Sequence, residues 1–146
     1  MILRSLGPDD ATAAIRLYRT LNPDVEIAGP DHFATLVSRT DTTVIGADIS
    51  NEIVAMATLH ILPNMTYGGR PFGVIENVIT LAQFRNQGTM RAVFQELHRI
   101  AWAKDAYKIM LMTGTDTGAK VFYEKLGYSG DQKHGLQIRR VPPRKG

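Results

Sequence analysis

The chain contains no cysteine. Disulfides, zinc–thiolate sites and a thiol nucleophile are thereby excluded, and a reducing compartment is compatible with the composition. Long apolar runs are missing too, since nothing approaches the roughly 18 to 20 residues that span a bilayer. The opening "MILRSLGPDD" carries no apolar stretch of secretory length. No membrane partner is expected, and the cytoplasm is the default location. The histidines at 32, 60, 98 and 134 show no zinc or triad spacing, and no nucleophile-elbow or EF-hand pattern occurs. No metal is expected.

What is present is ordinary in bulk and uneven in detail. Hydrophobic residues make up 44% and charged residues 21% of 146 positions, enough for one domain with a real core. The formal charge of +3 is misleading. Arg139, Arg140, Arg144 and Lys145 fall in the last eight residues, which contain no acid, and without them 13 basic face 14 acidic side chains. The body is near neutral and residues 141–146 read as a flexible basic tail, so no specific nucleic-acid partner is expected.

Along the chain, "MILRSL" reads as a strand closed by Gly7-Pro8. Asp9 or Asp10 is placed to cap a helix carrying Ile15, Leu17, Tyr18 and Leu21, which Asn22-Pro23 ends. A short helix is predicted from Asp31 to about Arg39, with Phe33, Leu36 and Val37 on one side. "TTVIGADI" and "EIVAMATLHIL" should pair antiparallel through Ser50-Asn51. "FGVIENVIT" is the next strand. Beyond Gly88, Met90, Val93, Phe94, Leu97, Ala101 and Trp102 repeat at helical spacing. "KIMLMT" resembles a strand buried on both faces. From about Thr117 to Leu126 a helix should turn Ala119, Phe122 and Leu126 inward, with Gly127 as its cap. "GLQIRR" reads as a last strand. The fold class is therefore α/β (α+β), one domain over residues 1–140 built on a central sheet.

"FRNQGTM", residues 84–90, sits where the fourth strand hands over to that long helix. Such a junction binds anions, because the first helical N–H groups have no intrahelical acceptor and the macrodipole is positive there. A lone glycine at a helix start is common, however, and the stretch is neither a Walker loop nor a G-x-G-x-x-G fingerprint.

Its surroundings sharpen the reading. "IENVITLAQFRNQGTM" (75–90), followed by "AKVFYEKLGY" (119–128), resembles the GNAT family of N-acetyltransferases. Arg85, Gly88, Phe122, Tyr123, Gly127 and Tyr128 fall on the family's motif positions. One departure is Met90, where a small residue is usual; it either turns into the core or lowers cofactor affinity. The resemblance implies the GNAT fold, a central mixed, mostly antiparallel twisted sheet with helices on both faces. It also implies acetyl-CoA as cosubstrate, held by backbone of Val78, Ile79 and Thr80 along the pantetheine arm. The amides of Arg85, Asn86, Gln87, Gly88, Thr89 and Met90 would hold the pyrophosphate.

Acetyl transfer to an amine needs a neutral amine, a stabilised oxyanion and a proton for the leaving thiolate. Tyr123 is the acid on the family's pattern. Glu76 is the candidate base: a carboxylate inside "GVIENVIT" should be partly buried and its proton affinity raised. A structural role with Asn77 or Arg70 is the alternative for it, and His60 is the alternative base. The acceptor site is expected in "NPDVEIAGP" and "PNMTYGGRP", with Asp24 and Glu26 drawing a cationic amine and Asn64, Tyr67 and Arg70 binding phosphate, carboxylate or hydroxyls. The partner is then a small-molecule amine, acetylated by direct attack in a ternary complex. A homodimer is a common family arrangement. The rival reading is a non-catalytic acyl-CoA-binding module, with Met90 as its sequence support.

Overall fold

The computed structural model describes residues 1–143. Arg144 and Lys145 of the basic tail lie outside the described residues. The backbone forms two compact units, Met1–Met110 and Leu111–Gly146.

The first unit holds a five-stranded sheet in sequential order: β1 (Ile2–Ser5), β2 (Thr42–Ile49), β3 (Glu52–Leu62), β4 (Phe72–Thr80) and β5 (Ile109–Met110). The first four strands pair antiparallel, and β5 runs parallel to β4. Helices α1 (Ala11–Leu21), α2 (Pro30–Val37) and α3 (Thr89–Ala103) lie on both faces. The β2–β3 hairpin closes as expected. Ser50 and Asn51 have φ of 54° and 65°, the two left-handed positions of a tight turn whose twist matches its strands.

The stripe on α3 packs largely as its spacing predicts. Met90, Val93, Phe94, Leu97 and Ala101 are buried, whereas Trp102 is 53% exposed. Ala101 and Trp102 are adjacent, about 100° apart around the helix, so one must turn out. Burying Phe94 and Leu97 completely contributes about 1.5–3 kcal/mol each. On α1, Ala11, Ala14, Ile15 and Leu17 are buried, with Tyr18 half-buried and edge-on to Phe33 of α2. The second helix begins at Pro30 and ends at Val37, two residues short of Arg39, and buries only Phe33.

Asp10 does not cap α1 with its side chain. Its carboxylate instead accepts from the Gly7 N–H at 2.8 Å and from both terminal nitrogens of Arg4 at 2.9 and 2.8 Å. Arg4 holds the carboxyl below its ordinary pKa, outweighing the opposing effect of burial, with Gly7 adding to the lowering. Strand β1 is thus tied to the start of α1.

The C-terminal expectations need correction. "KIMLMT" is a strand only at Ile109–Met110, and Met110 and Met112 are 39% and 58% exposed. It pairs with β4 at Gly73 and Val74 alone, so ladder bonds hold no more of it extended. In the second unit, α4 spans Lys120–Lys125 rather than 117–126. Gly118 at φ 71° breaks the helical path, and the Thr117 hydroxyl donates to the Gly114 carbonyl while accepting from the Ala119 N–H. Tyr123 is buried on this short helix, while Phe122 is half-buried. Gly127 does cap it, at φ 99°, with the Gly127 and Tyr128 N–H groups returning to the carbonyls of Glu124 and Tyr123. "GLQIRR" forms no strand, and Leu136 and Ile138 are 90% and 99% exposed. An apolar alternation without a neighbouring ladder gains little from extension.

Candidate active site

Strand β4 breaks its own regularity in the middle. Thr58 pairs with Glu76 but Met56 pairs with Ile79, so Asn77 and Val78 together oppose Ala57. Asn77 takes φ of 53°, a left-handed conformation that asparagine tolerates better than most residues. This β-bulge bends the strand and takes its local backbone out of the ladder. On the other side of β4, among the described residues, no strand pairs beyond Val74. Backbone from Ile75 to Thr80, including Val78, Ile79 and Thr80, therefore forms an open edge.

That edge leads directly into the glycine loop. A single turn at Ala82–Phe84 follows, and Arg85 Nε donates back to the Thr80 carbonyl at 3.1 Å. Asn86 and Gly88 have φ of 59° and 81°, and Gly88 is the N-cap of α3. A Cβ at Gly88 would meet nothing within 4 Å, so glycine is required by backbone conformation and not by crowding. The N–H groups of Asn86, Gln87, Gly88, Thr89, Met90 and Arg91 have no acceptor among the described residues. These six consecutive donors, at the N-terminus of a 15-residue helix, present the positive potential that an anion would meet. Met90 lies in the core, 9% exposed. Its backbone N–H remains available, and its side chain is directed away from solvent.

Glu76 corrects one expectation: it is exposed, not partly buried. Ile75 and Leu59 occupy the core face, and alternation puts Glu76 on the opposite face beside Thr58. Arg70 does not hold it. The Arg70 guanidinium reaches the Asp105 carbonyl at 3.1 Å and its carboxylate at 3.2 Å. His60 lies two residues along β3, with Nδ1 3.1 Å from the Thr42 hydroxyl. Between them, Thr58 is 2% exposed, and its hydroxyl faces that of Tyr18 on α1. Sequence reading missed this pair, as it missed the bulge. An asparagine amid β-branched neighbours was the available signal for the bulge.

Tyr123 belongs to the second unit and is 9% exposed, with its ring edge-on to Phe122 at 5.3 Å and Tyr128 at 6.3 Å. Burial raises its phenol pKa. Tyr128 is raised too, by burial first and by the Tyr123 charge second. A phenol so placed stays protonated at neutral pH and can donate.

The acceptor candidates are scattered. Asp24 and Glu26 are exposed in the loop after α1. Asn64 Nδ2 donates to the hydroxyl and carbonyl of Thr66, at 2.9 and 3.1 Å. Tyr67 stacks on Tyr107 at 4.1 Å, with Lys108 Nζ 5.3 Å from the Tyr107 ring centre. A groove of about 770 Å³ lined by Arg4, Asp10, Arg16 and Glu52 lies elsewhere and includes none of residues 76–90. Its Arg4 and Arg16 are committed to acids.

The chain's similarities agree with this geometry. A curated glucosamine 6-phosphate N-acetyltransferase of Trypanosoma brucei brucei is 32% identical over 143 residues, 94% of this chain and 92% of that one. A solved structure from Agrobacterium tumefaciens str. C58 superposes with a TM-score of 0.89 at 36% identity, covering 96% of this chain and all of that one. A Trypanosoma brucei acetyltransferase structure does so at 0.82 with 28% identity, over 97% and 99% of the two chains. The model of the acetyltransferase (GNAT) family matches residues 13–128, and the chain is an acetyltransferase of that family.

Proposed function

We propose that this enzyme moves an acetyl group from acetyl-CoA to the primary amine of a small molecule by direct attack in a ternary complex. The observation that carries the reading is the run of six acceptor-free amides, 86–91, continuous with the open edge of β4. Those residues fit acetyl-CoA: the amides suit a pyrophosphate, and the edge backbone at Val78, Ile79 and Thr80 suits the amide groups of the pantetheine arm. The cosubstrate supplies an activated thioester, so positioning contributes much of the acceleration.

In this reading residues 1–140 act as one acetyltransferase domain in the cytoplasm. Glu76 accepts the amine's proton through water, and its exposure leaves it accessible to a solvated ammonium. Tyr123 donates to the departing thiolate, supported by a burial that keeps the phenol neutral. An amino sugar phosphate is the first acceptor to test, given the trypanosomal relative. Asp24, Glu26, Asn64 and Tyr67 would receive it, with Arg70 available only by exchanging its contacts to Asp105. Burial of Met90 removes the feature that favoured a non-catalytic acyl-CoA binder.

The test is thiol release from acetyl-CoA across amino sugars, amino sugar phosphates, amino acids, polyamines and aminoglycosides. Turnover with one class is expected. Gly88→Ala should raise KM for acetyl-CoA about tenfold, since alanine at φ 81° costs about 1–2 kcal/mol in that conformation. Full thiol release with no effect of Gly88→Ala would remove the loop from the site.

A further inference from the structure

Two hydroxyls outside the candidate site stand together under α1. Tyr18 Oη on α1 and Thr58 Oγ1 on β3 are buried, and neither makes a hydrogen bond of acceptable geometry among the described residues. They nevertheless face one another: burial pushes the Tyr18 phenol up, and the Thr58 hydroxyl partly offsets it. Buried polar groups are nearly always satisfied, and an orphan costs about 1–3 kcal/mol. Two orphans at one spot point to a third group that completes both.

The register says what adjoins them. Thr58 is directly opposite Glu76, the last regular pair before the bulge. Facing residues on adjacent antiparallel strands have Cβ atoms about 4.5–5.5 Å apart, within reach of a carboxylate through one water. α1 packs across both β3 and β4, and its Tyr18 meets Thr58 on this face. His60 is the next side chain along this face, but its Nδ1 is engaged by Thr42.

We propose that Tyr18 and Thr58 are positioning residues for acetyl transfer, fixing beside Glu76 the single water through which the amine loses its proton. The proposal rests on the assignment of Glu76 as base. The ammonium N–H bond breaks and its proton passes to the water. One of the water's own protons passes to the Glu76 carboxylate. The nitrogen lone pair is freed for attack, and the overall charge is conserved.

The test compares Thr58→Val, Thr58→Ser, Tyr18→Phe and Glu76→Gln by steady-state kinetics and thermal melting of the full chain. Thr58→Val and Tyr18→Phe should each lower kcat about tenfold, less than the 10²–10⁴ expected for loss of the base. KM for either substrate should stay within about twofold, the sign of an interaction used in the transition state. Thr58→Ser should restore kcat. Melting temperatures should change little, because Thr58→Val and Tyr18→Phe nearly keep the side-chain shape and each removes one neutral hydrogen bond to the water, a modest net contribution.

Unchanged kcat in Thr58→Val and Tyr18→Phe, with Glu76→Gln inactive, overturns the proposal and leaves the base assignment standing. Full activity in Glu76→Gln overturns the base assignment and the proposal together. A Thr58→Ser variant as slow as Thr58→Val also overturns it, since the methyl group and not the hydroxyl would then matter.

Discussion

Arg85 donates from Nε to the carbonyl of Thr80, 3.1 Å away, and so fastens the end of β4 to the loop that opens α3. The guanidinium is exposed, so this bond adds little to folding but fixes the angle between the open edge and the free amides. Arg85→Ala should raise KM for acetyl-CoA about fivefold, equivalent to about 1 kcal/mol, with little change in melting temperature. Kinetics at varied acetyl-CoA would check it.

Met90 behaves differently from the rest of its motif. Its side chain is core, so Met90→Ala should destabilise the protein by about 2–4 kcal/mol through the cavity it leaves. KM for acetyl-CoA should remain within about twofold in the folded fraction, because the backbone N–H is kept. Urea denaturation paired with kinetics at low temperature separates the two effects.

Tyr123 sets the alkaline side of the activity profile if it is the acid. Burial raises its pKa above the ordinary phenol value of about 10, so the protonated, donating form persists past that pH. kcat should therefore fall only above about pH 10. Tyr123→Phe should lower kcat by about 10²-fold or more and abolish that limb. A pH–rate profile for both proteins would decide it, and an unchanged kcat would remove Tyr123 from the chemistry.

Asp10 governs an acid-side loss of stability. Its folded pKa is depressed by Arg4, so the stabilisation is present above the unfolded value of about 3.9 and disappears as pH falls through the lower folded value. Asp10→Asn should cost about 1 kcal/mol at neutral pH, a modest figure because Arg4 is partly exposed. Melting curves from neutral pH down to about pH 2.5 should converge for the two proteins.

Much of this is legible in the sequence. The Ser50-Asn51 turn, the α3 stripe and the Gly88 junction each depend on local chemistry that a short window records. Met90 was settled only by packing, since its helical spacing suited the core while its motif position suited a phosphate. The bulge at Asn77 depends on how β3 and β4 align, which neither strand states alone. The meeting of Tyr18 and Thr58 is hidden for the same reason: the two lie 40 positions apart, and neither type is unusual where it stands. "KIMLMT" and "GLQIRR" show the opposite failure. Their apolar content suggested strands, but pairing decides strands, and only Ile109–Met110 finds a partner.

The open edge of β4 has a second side. Apart from the Thr80 carbonyl, which Arg85 holds, its unpaired amides and carbonyls are a template on which a foreign strand can grow, and they invite aggregation. The kink at Asn77 denies an intruding chain the straight, unbroken register that it would need. Occupancy by a pantetheine arm would close what is left. Solubility under heat stress should therefore depend on cosubstrate supply, with the starved enzyme the first to clump.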